Sequence, residues 1–271
     1  MRKRERTKIL EIPRKKPWES GTSKTLSISE LFHENTKHRL FQEKFYKENY
    51  TIHNNQKFLP MYRTYRGFKK IELSKNFSFR NPVGSTLKKR RSIRNFSGRP
   101  LTLNEISNIL FFSYGITDRI NEFRAAPSAG ALYPIEIYPI VFNVRGIKKG
   151  VYHYNVKEHS LEFLRDGDFR DYIYLCTHYQ DMIKTTGLVL LMDAVFERTK
   201  IKYGERGYRF VLLDAGHIAE NAYLIATQMK LGCVTIGGFL DDEINKLINA
   251  DGVNESVIYI VALGKVKGGY K

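Results

Sequence analysis

The chain predicts an α+β fold, and three observations carry the prediction. Short apolar runs suited to strands recur between residues 135 and 263. Several of them follow one another before any helical stretch intervenes, which suits hairpins better than a regular βαβ repeat. One apolar segment, residues 210–231, is too long for a typical strand and reads as a helix.

Composition sets the outer limits. With 271 residues, 42% of them hydrophobic, the chain can bury a substantial core. Its 45 Lys and Arg against 28 Asp and Glu give a net charge of +17. Such a balance favours anionic partners (nucleic acid, anionic lipid, a phosphate cofactor, an acidic peptide) or reflects a generally lysine-rich proteome. Cys176 and Cys233 stand in no CxxC, so neither a disulfide framework nor a zinc site is indicated, and a reducing compartment fits. No run approaches the ~20 apolar residues of a membrane span. Only Ile9, Leu10 and Ile12 follow the basic N-terminus before Pro13, too little for a signal peptide. A cytoplasmic protein without a membrane partner is expected.

The elements follow in order. Residues 1–26 are basic and broken by Pro13, Pro17 and Gly21, as in a flexible arm. Residues 27–85 read as an N-terminal helical extension that opens on the capping-box spacing of Ser27 and Glu30. His33 and His38 lie at i and i+5, on separated helix faces, so no metal is expected there. The main domain spans 86–271. Thr102 and Glu105 form a second capping box, Leu103, Ile106, Ile109 and Leu110 share one face, and Gly115 marks the end. Strands are expected at 135–144, 150–154, 161–164, 187–196, 233–236 and 256–263, with helices near 169–177 and 241–250. Pro139 should put the first strand at an edge or a bulge. Residues 196–209 read as a polar, cation-rich turn. In the long helix that follows, Ala215, Ala219, Ala222 and Ala226 make a small-residue stripe suited to the middle of a core or to a subunit interface.

Three clusters could carry chemistry, and none is a familiar phosphate loop, since GxGxxG and GxxxxGK[ST] are both lacking. In the first, Arg90, Arg91, Ser92 and Arg94 offer guanidinium and hydroxyl donors for a phosphate, or form a solvated basic turn. The second, Ser128-Ala129-Gly130 between Pro127 and Pro134, has side chains small enough to admit a flat ligand, or makes an ordinary tight loop. The third pairs Lys202 and Tyr203 with the distant Gly237 and Gly238. A desolvated lysine can act as a base and a tyrosine can pass a proton; an exposed lysine beside a packing tyrosine is the plainer alternative.

In order along the chain, Arg90 to Phe96, Pro127 to Pro134, the Lys202-Tyr203 pair with Arg206 to Arg209 behind it, and Gly237 to Phe239 resemble the nitroreductase-like flavoproteins. More closely they resemble the SagB-type azoline dehydrogenases of thiazole/oxazole-modified peptide biosynthesis. That resemblance implies a homodimeric FMN-binding fold with a central mixed sheet flanked by helices. It implies that Arg90, Ser92 and Arg94, with the backbone at Arg91, hold the FMN phosphate and ribityl end. Ser128, Ala129 and Gly130 would line the flavin ring, a backbone N–H at Gly237 or Gly238 would face its N5, and Lys265 would give a second phosphate contact. Lys202 or Tyr203 would be the base that lets a peptide azoline become an azole, in a complex with a cyclodehydratase. A nucleic-acid partner is not implied. An NAD(P)H-dependent nitro or quinone reductase, and a non-catalytic scaffold of the modification complex, stand as alternatives.

Overall fold

A computed structural model describes residues 62–74 and 83–270, all within the compact unit His38–Lys271. The basic arm, the Ser27–Glu30 box and most of the helical extension lie outside the described residues. Strand β1 (Lys70–Glu72) is followed by α1 (Val83–Lys89), β2 (Leu101–Thr102), α2 (Leu103–Tyr114), β3 (Ile116–Asp118) and β4 (Phe123–Arg124). A 3-10 turn at Ala129–Ala131 leads to β5 (Ile135–Val141), β6 (Val144–Arg145), β7 (Gly150–Asn155), β8 (Ser160–Asp166) and α3 (Arg170–Cys176). A second 3-10 turn, Asp181–Thr185, precedes β9 (Leu188–Val195), α4 (Glu197–Tyr203), α5 (Arg206–Gln228), β10 (Leu231–Ile236), α6 (Asp241–Ile248) and β11 (Glu255–Lys265).

The main sheet has seven strands in the order β1-β8-β7-β5-β9-β11-β10. Its ladders are antiparallel, and the parallel register among the described residues is the short β2–β6 pairing. This is the expected α+β fold, in which the parallel pairing belongs to a separate two-stranded sheet beside the main one. Helices cover both faces. Leu188, Leu190, Met192 and Ala194 of β9 point into one core with Ile106, Ile109 and Leu110 of α2 and Val211, Ala215 and Ile218 of α5. Val189 and Leu191 point into the other, with Ile173 of α3 and Ile244 and Leu247 of α6. A strand covered on both sides needs apolar residues at every position, which is why β9 reads as an unbroken run.

Local signals explain several boundaries. The Thr102 side chain accepts from Glu105 N at 3.2 Å while Glu105 Oε2 accepts from Thr102 N at 2.9 Å, so the capping box starts α2 as its spacing foretells. Pro139 departs from expectation. It sits in β5, inside the sheet, and not at an edge. The β5–β7 ladder holds only Ile140 and Val141, so the strand has not yet joined that neighbour where the proline falls. Residues 196–209 are not a turn either: they fold into α4, an elbow at Gly204 and the first turn of α5. The alanine stripe faces inward, with Ala215 and Ala219 each 3% exposed and Ala222 and Ala226 fully buried, so it serves the core and not an interface. No helix of the described residues is long and apolar enough to cross a membrane.

Candidate functional site

The Arg90–Phe96 loop is pinned to the sheet by its last residue. Phe96, 2% exposed, lies over the cross-strand pair Gly232 and Gly264, where an added Cβ would come within 2.7 and 2.9 Å of its ring. Glycines are required at both positions by this close approach. Ile93 N donates to Cys233 O at 2.9 Å, and the residues between are thereby held beside β10 and α5. Ser92 Oγ lies 3.0 Å from Tyr223 Oη, and that phenol oxygen accepts from Thr235 N at 2.9 Å. The Arg90 guanidinium sits 5.2 Å from the centroid of the Tyr223 ring, with Glu220 Oε1 4.0 Å from its Nε. Tyr223 therefore organises a cationic and hydroxylic cradle that suits a phosphorylated, polyhydroxylated ligand. Arg91 turns away, donating from Nη1 to the carbonyls of Lys88 and Arg90, and Arg94 is exposed.

The second and third clusters come together in space. A Cβ placed on Gly130 would lie 2.7 Å from Tyr203 Oη and 2.9 Å from Lys202 Nζ. Gly130 has φ +62, and Ala131 and Tyr133 also take left-handed conformations, φ 55 and 47, which are costly for residues with a Cβ. Lys202 and Tyr203 end α4, the Lys202 Nζ standing 5.4 Å from the Tyr203 ring centroid and that ring meeting Phe210 edge-on. Ser128 does not present its hydroxyl to a ligand. Its Oγ donates to Asp214 Oδ2 at 2.5 Å and accepts from Tyr133 N at 2.9 Å.

α4 owes its place to charge buried beneath it. Arg198 donates to Tyr133 O at 3.2 Å and pairs with Glu136 on β5. Burial alone would raise the Glu136 carboxyl, but the His153 hydrogen bond and the charges of Arg198, His153 and Arg124 outweigh it and bring it down to about 2. Burial pushes the neighbouring Asp193 carboxyl, paired in register with Glu136, up to about 7, and the Glu255 charge adds to the shift.

Gly237 and Gly238 are exposed just beyond the last rung of the β10–β11 ladder, where backbone N–H groups are open to a ligand. Lys265 lies where the Arg90–Phe96 loop ends, its carbonyl accepting from Ser97 N at 2.7 Å. It stands in register with Leu231, four residues and thus ~13 Å along the strand from Thr235. Its ammonium is paired with Glu105, whose other oxygen caps α2. Conversely, Tyr223, Thr235, Asp214, Arg198 and Glu136 join the site without having been singled out from the sequence.

The site thus joins a cationic and hydroxylic cradle at Tyr223 to a lysine–tyrosine pair facing a glycine turn, and the chain is a flavin-dependent oxidoreductase. It matches the Nitroreductase family over residues 87–265 and belongs to that family. A provisionally named nitroreductase of Methanocaldococcus jannaschii is 41% identical over 177 residues, 65% of this chain and 87% of that protein. The microcin B17-processing protein McbC of Escherichia coli is 30% identical over 156 residues, 56% of this chain and 57% of its own length, so the match spans little more than half of McbC. Among solved structures, a chain of the E. coli microcin synthetase McbBCD complex with truncated pro-MccB17 bound is 25% identical with a TM-score of 0.59, covering 88% of this chain and 86% of that one.

Proposed function

We propose that this protein is an FMN-dependent azoline dehydrogenase, oxidising thiazoline or oxazoline rings in a ribosomal peptide to thiazoles or oxazoles. The observation that carries the reading is the meeting of Lys202 and Tyr203 at Gly130, on the one residue type that leaves room before both tips. Likeness to McbC and to the McbBCD complex supports the peptide substrate. Arg90, Ser92 and Tyr223, with Arg94 at the rim, would hold the phosphate and ribityl end of FMN. When bound, FMN supplies the two-electron acceptor for a hydride leaving the ring CH2 or CHR. One of Lys202 and Tyr203 removes the proton from the former α carbon, which imine and carbonyl acidify, and the other orients it. Gly130 keeps that space clear.

The protein works as a homodimer with FMN near the subunit boundary, in a complex with a cyclodehydratase, in the cytoplasm. Leu212 and Leu213, adjacent large apolar side chains left exposed on α5, support the dimer. The test is to purify the protein, measure about one FMN per chain, and add an azoline peptide. Each ring converted lowers the peptide mass by two hydrogens. A colourless protein that takes up no FMN, or oxidation of NAD(P)H with no change in the peptide, defeats the proposal; the latter result would favour a nitro or quinone reductase, the kind of protein named for the M. jannaschii relative.

A further inference from the structure

Asp214 occupies a position where a carboxylate is costly. It is 5% exposed on α5, between the core residues Val211, Ala215 and Ile218. Its oxygens are occupied by one loop: Ser128 Oγ donates at 2.5 Å, and the Ala129 N–H also donates to the carboxylate. Ser128 Oγ in turn accepts the Tyr133 N–H at 2.9 Å, so the carboxylate and one hydroxyl clasp the two ends of the 128–133 segment. Between those ends lie Gly130 and Ala131 in left-handed conformations, with Tyr133 in a third. Such a backbone persists only where its surroundings over-determine it.

We infer that Asp214 is a positioning residue, which holds the 128–133 loop so that Gly130 faces the tips of Lys202 and Tyr203. The inference rests on the proposed azoline reading only for the substrate used to measure rate. α4 is also anchored outside this loop, through the Arg198–Glu136 pair on β5, although Arg198 touches the loop's end at Tyr133 O, so loss of Asp214 leaves Lys202 and Tyr203 held from β5 and lets the wall opposite them move. The expected defect is in turnover, with cofactor and peptide still bound.

The experiment uses the full-length, FMN-loaded protein and the variants Asp214→Ala, Asp214→Asn and Ser128→Ala. Asp214→Ala and Ser128→Ala should speed amide exchange at Ala129 and Tyr133 by about three- to tenfold, the scale of one hydrogen bond, with the β9 amides unchanged. The kcat for an azoline peptide should fall by a similar factor, with KM within about twofold. Asp214→Asn, which keeps an acceptor oxygen in the same shape, should recover most of kcat. The double variant Ser128→Ala/Asp214→Ala should be slowed by less than the product of the two single effects, because the two residues share one bond. Unchanged exchange at Ala129 and Tyr133 overturns the inference, as does a kcat equal to that of the parent or no recovery in Asp214→Asn. If Asp214→Ala does not fold, Ser128→Ala removes the side-chain bond to Asp214 together with the bond to Tyr133 N, and faster exchange at Ala129, whose own bond to the carboxylate it leaves, decides alone. The exchange measurement needs no substrate, so a protein inactive on azolines still tests the role of Asp214.

Discussion

Arg198 Nη1 lies 2.6 Å from Glu136 Oε1, with the two side chains 5% and 3% exposed, and this ion pair ties the helix of Lys202 and Tyr203 to the middle of the sheet. Behind it, His153 bridges Glu136 at 3.1 Å and Glu162 at 2.9 Å, so alternating charges run across β5, β7 and β8. Arg198→Met should therefore leave Glu136 short of its nearest cation and cost ~3–5 kcal/mol in urea unfolding, as for other broken buried pairs. A cost below ~1 kcal/mol would show that the pair does not hold α4.

Asp193 should make stability fall as pH rises. Its folded pKa, about 7, lies above the ordinary 3.8, so the folded chain keeps its proton over a range in which the unfolded chain releases it. The folded state is thus penalised progressively from about pH 4 to pH 7 by this group. Asp193→Asn removes the penalty. Its melting temperature should exceed that of the parent at pH 8, and the gap should close as pH is lowered towards 4; a constant gap would contradict the assignment.

Gly130→Ala should fold yet fail at the site. The left-handed backbone costs an alanine about 1–2 kcal/mol. The atoms its Cβ would strike are the movable ends of Lys202 and Tyr203, so those tips are displaced while the fold remains. Circular dichroism should be unchanged and azoline oxidation strongly reduced. Parent-level turnover would remove the steric basis of the proposed site.

Arg90→Ala should weaken FMN binding by about 1.5–3 kcal/mol, the scale of hydrogen bonds to charged groups, and Tyr223→Phe by about 0.5–1.5 kcal/mol. Flavin fluorescence titration measures both. Tyr223→Phe binding FMN as tightly as the parent would mean that the phenol does not organise the cradle.

Lys202→Ala and Tyr203→Phe should retain FMN, since neither residue belongs to the Arg90 cradle. Azoline oxidation should slow by roughly 10²–10⁴-fold in whichever lacks the general base. Peptide mass spectrometry reads the rate. Two variants as fast as the parent would make the pair structural.

The sequence was most informative where a signal is local. Thr102 and Glu105 announce α2 because a capping box needs only four neighbouring residues. Gly130 and Lys202 could be named, although nothing local says that they meet. Arg198 and Glu136 were silent, because an ion pair between residues 62 apart in number looks like two surface charges until the fold buries both. Tyr223 and Asp214 were hidden in α5, where a phenol reads as one more apolar side chain and a buried carboxylate looks the same as the exposed Glu220 on the same helix. The alanine stripe showed that something packs closely, but periodicity does not say whether that neighbour is α2 or a second subunit. Lys265 could be named from its place in the chain, but nothing local announces that its ammonium pairs with Glu105.

α5 carries Asp214 and, nine residues on, Tyr223, each holding a loop from elsewhere in the chain. Because each residue turns a helix by about 100°, a single insertion between them would rotate one of these two side chains by that angle, away from the loop it holds. Substitutions along this stretch can be absorbed one at a time, whereas its length cannot drift. The helix acts as a ruler, and in relatives that bind the same cofactor in the same way the count between these two positions should vary far less than the residues that fill it.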